Sequence, residues 1–453
     1  MRKVDIRIKD YNEIYDSYDM DTIKLNLSRC NNCSDAFCSN KIVMDNKLTG
    51  CPLNINISKV VSLMKYNLYS EAYAELTKNN PFPELTERVC KGYCEYACIN
   101  NKDNNPTNIK DILRTLSDYA LDNNLVDLTV KEKKNKTVAI IGSGASGLAC
   151  ANYLIKEGYN VDVYEKDDRP GGTLMYGIPN MRLDKNILKK RIELLKKMGV
   201  RFICNAEVTR IISPMDVLCD CDALVLASGV VKRRFICDGM GLKNVMYGVD
   251  YLKKVTKNIL DKGISDITEN MSVLIIGGGD TALDCLSYAV REKAKMVALI
   301  DHKNMPPIKR TTSWPFADDS IKPTEEILEA RYKMFTDPRS YNMTVKEITG
   351  INIVESVKIC NVRWDNGKAI ISDNSQEFPI DMVIVAIGNT GVEEDLVNSF
   401  KIDIVNKLVD EKNHKNHKNV FICGDALINN GITVLAIKDG ITCAKEVIKY
   451  LEA

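Results

Sequence analysis

Apolar and polar residues fall into three regimes along this chain. Up to about residue 125 the apolar positions recur at helical spacing, as in Ser58 to Thr77, with little strand pattern. Asp127 to Lys136 is charged and poor in large apolar groups, the composition of a linker. Beyond it a unit of apolar strand, glycine loop, helix and second strand occurs twice. The pattern predicts an α/β chain in which a small helical domain precedes a duplicated nucleotide-binding unit.

The first unit is the strand Thr137 to Ile141, the loop Gly142-Ser-Gly144-Ala-Ser146-Gly147, a helix over Leu148 to Glu157, and a strand Asn160 to Tyr164 that ends at Glu165. Its first glycine serves a tight turn, its second admits a pyrophosphate close to the backbone, and its third lets helix and strand pack. The helix start offers free amide hydrogens and a positive dipole end to phosphate. Glu165, 18 residues past Gly147, can bind ribose hydroxyls from its strand end. The second unit is Ser272 to Ile276, then Gly277-Gly278-Gly279-Asp280-Thr281-Ala282, a helix through Val290, and a strand Met296 to Ile300. Alanine is tolerated in the third place because a methyl group still fits the packing contact. Asp301 follows the strand, 19 residues past Ala282, and favours a free 2′-hydroxyl over a 2′-phosphate, hence NAD over NADP.

A length of 453 residues suggests about three domains, and 45% hydrophobic with 27% charged residues is an ordinary globular composition. A net charge of +1 leaves no electrostatic footprint for nucleic acid or anionic lipid. The opening residues lack the apolar core of a secretory signal, and no run approaches the roughly 18 residues of a membrane span. The expectation is a cytoplasmic protein without nucleic-acid or membrane partners. The run Glu411 to Lys418, which holds His414 and His417, reads as a solvated loop before a strand at Asn419 to Cys423.

Cysteine changes the picture. Seven of 16 cysteines lie in the first 98 residues, as Cys30-x2-Cys33-x4-Cys38, Cys51-Pro52 and Cys90-x3-Cys94-x3-Cys98. In a reducing compartment such clustering points to metal and not to disulfides. Seven thiolates support one all-cysteine iron–sulfur cluster and a second conditionally; structural zinc is the alternative for the group. The remaining cysteines read as core packing, including Cys219-Asp-Cys221, taken as buried on a strand. Two dinucleotide sites call for two cofactors, and flavin with nicotinamide is the pair that exchanges a hydride directly.

Further motifs extend the pattern: Pro81-Phe-Pro-Glu84, Arg88-Val-Cys90, Gly171-Gly172-Thr-Leu-Met-Tyr176-Gly-Ile178-Pro179, Gly277 to Cys285, Met305-Pro306, and Val420 to Gly424-Asp425. On these the chain resembles, over nearly its whole length, the glutamate synthase small (beta) subunit family. Relatives of that family include ferredoxin-NAD(P) transhydrogenase large subunits and the N-terminal half of dihydropyrimidine dehydrogenase. The resemblance implies a helical iron–sulfur domain (1–125), an FAD domain (136–244 and 371–453), and an NAD(P) domain inserted in it (245–370). It places the first loop and Glu165 on the ADP half of FAD, Gly171 and Gly172 on the path to the flavin, and Tyr176 to Pro179 beside the ring. Asp425 would hold the ribityl chain or its phosphate; a helix-capping aspartate is its alternative. Arg182, Gly229 and Gly388 are further cofactor-site candidates. Cys30, Cys33, Cys38 and Cys98 would hold one 4Fe-4S cluster, and Cys51, Cys90 and Cys94 the other.

This chain departs from the family in three places. Leu113 stands 15 residues past Cys98, where relatives carry a glutamate or glutamine ligand. Extra residues separate Cys38 from Cys51, and Ile308 to Lys322 breaks the usual pattern. The implied activity is oxidation of NAD(P)H, with NADH favoured, through FAD to one or two 4Fe-4S clusters and then to an electron-accepting subunit or ferredoxin. No general acid or base is required, in keeping with three histidines in all. The alternatives are a ferredoxin-NAD(P) oxidoreductase, a stand-alone flavin reductase of a small molecule, and a redox-silent scaffold binding nucleotide and zinc.

Overall fold

The computed structural model describes residues 1–44, 46–409, 419–429 and 431–453; the predicted loop Glu411 to Lys418, with His414 and His417, lies outside them. The continuous apolar runs become the centres of two five-stranded parallel sheets, since a strand covered on both faces must be apolar throughout. The first sheet runs Val420–Ile422, Ala223–Leu226, Thr137–Ile141, Asn160–Tyr164, Arg201–Ile203. The second runs Val245–Tyr247, Met382–Val385, Ser272–Ile276, Met296–Asp301, Arg339–Tyr341. In each, the strand feeding the glycine loop is central. One edge differs: the outer strand of the first sheet returns from beyond the second unit, whereas that of the second precedes its own glycine loop.

Met382–Val385 pairs with both Ser272–Ile276 and Val245–Tyr247, so the second unit extends past the expected boundary at 370. That boundary falls inside Lys368–Pro379, the last strand of an antiparallel three-stranded sheet with Met343–Thr349 and Ser356–Asp365. The physical reason is local likeness. The apolar run at 382–387 before Gly388 matches the run at 223–227 before Gly229, and sequence cannot tell which sheet either joins.

The cysteine-rich domain is built mainly from helices Met20–Ser28, Ile57–Lys65, Tyr69–Thr77, Pro83–Val89 and Ile109–Asp122. The predicted helical stretch Ser58 to Thr77 is two helices, turned at Asn67 with φ +58°. The extra residues between Cys38 and Cys51 form a hairpin, Ile42–Met44 against Lys47–Thr49. One apolar core joins this domain to the first nucleotide unit, with Phe82, Leu85 and Leu113 in the same cluster as Leu188 and Ile192. Across that junction Arg191 forks onto Glu84, at 2.7 Å from Nε and 3.0 Å from Nη2, both side chains buried. Residues 1–18 dock elsewhere. Ile14 enters the second unit's core, and Arg7 Nε donates to Glu329, 2.8 Å away, which Arg291 also grips.

Two smaller expectations change. The charged linker is pinned, since Lys131 and Lys134 donate backbone N–H bonds to Lys156 and Gly158. Cys219 ends the helix Pro214–Cys219 and is exposed, because the segment folds as a proline-initiated helix and not as a strand. Among the described residues no helix is long and apolar enough to cross a membrane.

Candidate functional site

Both glycine loops leave their strands through the same turn. Gly142 has φ +105° and Gly277 φ +131°; a Cβ at either would lie 2.5 Å from the Ala227 carbonyl oxygen or 2.3 Å from that of Ala386. Only glycine fits there. The helices begin at Ala145 and Asp280, three residues earlier than predicted for the first, with Gly144 and Gly279 as N-caps that carry no capping side chain. Their first amides stay open toward a phosphate.

In the first unit the candidate residues converge. Buried Glu165 accepts the Ser143 N–H at 3.2 Å and the Asp167 N–H at 2.8 Å, and its carboxyl is pushed up chiefly by burial. Ser143 Oγ links Glu165 to the Gly171 N–H, 2.8 Å away. Gly172 crosses Gly144 so closely that a Cβ would stand 2.9 Å from the Gly144 Cα. Ser146 faces Gly424, whose N–H donates to Asp439 at 2.5 Å. Asp425 accepts the Gly431 N–H at 3.2 Å, just ahead of the helix Thr433–Leu451, whose N-cap is Ile432.

The segment predicted to flank the flavin is held from behind. Tyr176 is buried, its hydroxyl donating to Asp168 at 2.5 Å and accepting from Arg169 at 3.0 Å. Lys185, fully buried, donates to the Leu174 and Ile178 carbonyls at 2.8 and 2.6 Å; burial lowers its ammonium to about 7. Arg182 turns to Asp284 and Glu326, 3.2 and 3.6 Å away, and thereby ties the Pro179 segment to the second unit's loop helix.

The second loop is more open, with Gly278, Gly279 and Asp280 exposed. Asp301 is the last residue of its strand and leans over Gly278, where a Cβ would meet its carboxylate at 2.1 Å. It accepts the Lys303 N–H at 3.1 Å and lies 3.4 Å from His302 Nδ1. Gly229 and Gly388, at φ +68° and +78°, occupy matching turns after Ala223–Leu226 and Met382–Val385. Asp280 pairs with Lys91 at 2.9 Å, a residue between two of the clustered cysteines.

The seven cysteines separate into two cavities. Cys30, Cys33, Cys38 and Cys98 line the first, of about 200 Å³. Cys51, Cys90 and Cys94 line the second, which closes to about 20 Å³, with Leu113 in its wall. Ile57 is common to both, and Val434 of the last helix reaches the second, so the cavities follow one another outward from the first nucleotide unit. Burial raises the Cys38 and Cys51 thiols to about 12 and Cys94 well above its ordinary value. No group of three or more His, Cys, Asp or Glu side chains among the described residues is set to hold one metal ion. Thiols spread around a cavity suit a polynuclear cluster instead.

Sequence reasoning missed two neighbours of these cavities. Glu87 lines the second; its signal was its position one helical turn before Cys90. Trp314, in the atypical segment 308–322, donates its indole N–H to the Cys98 carbonyl at 3.0 Å and stacks edge-on against Phe37 at 5.3 Å. Thr49 of the extra hairpin donates to the Pro315 carbonyl at 2.5 Å, so two of the three departures from the family cover the first cavity together. Nothing in the local sequence announces that contact.

The geometry agrees with comparison to known proteins. Residues 136–441 match the pyridine nucleotide-disulphide oxidoreductase family, and residues 7–125 match dihydropyrimidine dehydrogenase domain II, 4Fe-4S cluster. The chain is 33% identical to the glutamate synthase [NADPH] small chain of Bacillus subtilis, across 98% of this chain and 94% of that one. It is 32% identical to glutamate synthase [NADH] of Saccharomyces cerevisiae, where the match covers 98% of this chain but 21% of the yeast protein. Among solved structures, Mycobacterium tuberculosis FprA in complex with NADPH shares this fold. For the NADPH complex the TM-score is 0.55 at 17% identity, covering 70% of this chain and 85% of FprA, a likeness of fold.

Proposed function

The chain belongs to the family of glutamate synthase small chains, and we propose that it draws electrons from NADH and delivers them through two iron–sulfur sites to a separate large subunit. It is an NAD(P)H-dependent FAD and iron–sulfur oxidoreductase of electron-transfer type. Bound FAD supplies the exchange between two-electron and one-electron transfer. The chain's own residues bind, orient and insulate. The open amides after Gly144 and the Glu165 carboxylate would hold the FAD pyrophosphate and ribose, with Gly171, Gly172 and Asp425 along its length. Lys185, by fixing the Leu174 and Ile178 carbonyls, holds the Tyr176 to Pro179 segment in place. The loop at Gly277 to Ala282 would take the nicotinamide dinucleotide, and Asp301 supports NADH as the preferred donor.

The observation that carries the reading is the row of cavities. The second lies between the last helix of the first nucleotide unit and the first cavity, and the two share the Ile57 side chain. Iron and flavin content per chain, with EPR spectra after NADH reduction, tests it. Flavin bleaching with reduction of both clusters is expected, and a colourless zinc-loaded chain would sink the reading. Copurification with a stoichiometric large subunit is the expected outcome for the partner. Full turnover by the isolated chain on a small acceptor would argue against one.

A further inference from the structure

We propose that Glu87 is the fourth protein ligand at the second cysteine site. In this assignment Cys51, Cys90, Cys94 and the Glu87 carboxylate hold a four-iron cluster although Leu113 occupies the expected ligand position. The proposal rests on the iron–sulfur reading above.

Three observations converge on Glu87. The donor side chains among the residues lining the second cavity are the three thiols and this carboxylate; the others, Leu113 included, are apolar. Glu87 is 7% exposed and sits on the helix Pro83–Val89 that Cys90 terminates. Its only hydrogen bond among the described residues is from the Thr86 hydroxyl at 3.1 Å; no cation there lies within ion-pair distance, and Lys110 acts on it only through space. Glu84, one turn earlier on the same helix and also buried, shows what a structural carboxylate in this fold receives, the forked Arg191. A buried carboxylate without a contacting cation is costly, and iron would supply that contact.

The other nearby acid is already engaged: Glu95 accepts the Lys110 backbone N–H at 2.9 Å. Leu113 is buried and lines the same cavity from the helix Ile109–Asp122. The cavity's carboxylate thus comes from the helix Pro83–Val89 and not from Ile109–Asp122. Since the cavity measures about 20 Å³, it must widen to admit the cluster on metal binding.

The test is iron and acid-labile sulfide per chain, native mass spectrometry and EPR on anaerobically purified wild type, Glu87→Ala, Glu87→Cys and the double variant Glu87→Ala/Leu113→Glu. Wild type should carry about eight irons, two cubanes. Glu87→Ala should fall to about seven or fewer, with a three-iron signal in the oxidised state, while FAD content stays unchanged. The double variant should regain the lost iron, because it returns a carboxylate to the cavity from the helix Ile109–Asp122; a merely structural Glu87 would not be rescued so. Glu87→Cys should keep its iron but shift the EPR spectrum and potential of one cluster, which keeps the proposal testable if the alanine variant does not fold. An unchanged iron count in Glu87→Ala, or an unchanged spectrum in Glu87→Cys, overturns the assignment. Wild type that bleaches with NADH yet holds only about four irons overturns it while sparing the electron-transfer reading. Wild type with iron but no flavin reduction by NADH fails the broader reading instead.

Discussion

The two nucleotide units share a turn and, but for one edge strand, a strand order, yet one is enclosed and the other open. In the first, Gly172 lies across Gly144, Ser146 abuts Gly424, and Glu165 is tied to Ser143. In the second, Gly278 to Asp280 are exposed, and Asp301 stands over the loop with little else upon it. An enclosed site suits a group that stays, and an open one a group that exchanges. The difference also appears at the third motif position. A Cβ on Gly147 would lie 2.0 Å from the Gly142 carbonyl oxygen, whereas Ala282 carries its methyl in the second unit's core.

Gly147→Ala should therefore have the largest effect. The clash is with backbone, so the loop must shift and the amides aimed at the phosphates move with it. The expected outcome is near-complete loss of FAD after gel filtration, read by absorbance per chain. Retention of stoichiometric FAD would break the contrast between the loops.

Next in size is the anchoring of the units to the helical domain. The first is held by Arg191 on Glu84, both buried, and the second by the N-terminal segment through Arg7 and Arg291 on Glu329. Arg191→Ala leaves Glu84 buried and unpaired, at a cost of about 3–5 kcal/mol. Chemical denaturation of the loaded protein should show that loss, with iron released earlier in the transition than in wild type. An equal stability would mean that the apolar core alone joins the two domains.

Much of this arrangement was legible in the chain. The loops, their flanking strands and the terminal acids are local patterns, so Gly142 to Gly147, Glu165, Gly277 to Ala282 and Asp301 could be placed from spacing. The edges were not legible. Met382–Val385 carries the same apolar run as Ala223–Leu226, and only tertiary pairing assigns it to the second sheet. Residues 1–18 resemble the rest of the helical domain in composition, but Arg7 finds its carboxylate 322 positions away. Glu87 was hidden for the opposite reason. Its spacing to Cys90 was visible, but a helix offers many such acids, and only the cavity distinguishes it from Glu84.

A smaller effect is expected at the acids that end the second strands. Asp301→Ala removes an acceptor for a ribose hydroxyl, worth about 1.5–3 kcal/mol for a charged hydrogen bond. The expected result is a fall of roughly tenfold or more in kcat/KM for NADH, with NADPH affected less. Equal losses for both donors would assign Asp301 to holding Lys303 and the strand end, and not to choosing the dinucleotide.

The smallest expected effect lies opposite the largest. Ala282→Gly turns the second loop's third position into the residue found in the first. It removes a buried methyl from a helix, at about 1–2 kcal/mol from lost propensity and burial. The methyl belongs to the core packed around Tyr251 and Leu252 and does not face the open loop, so KM for NADH should stay within about twofold of wild type, a shift under about 0.5 kcal/mol. FAD content should not change at all. A large change in KM would show that the methyl sets the position of the loop amides; the two units would then differ in how they meet phosphate, and not only in how tightly they are enclosed.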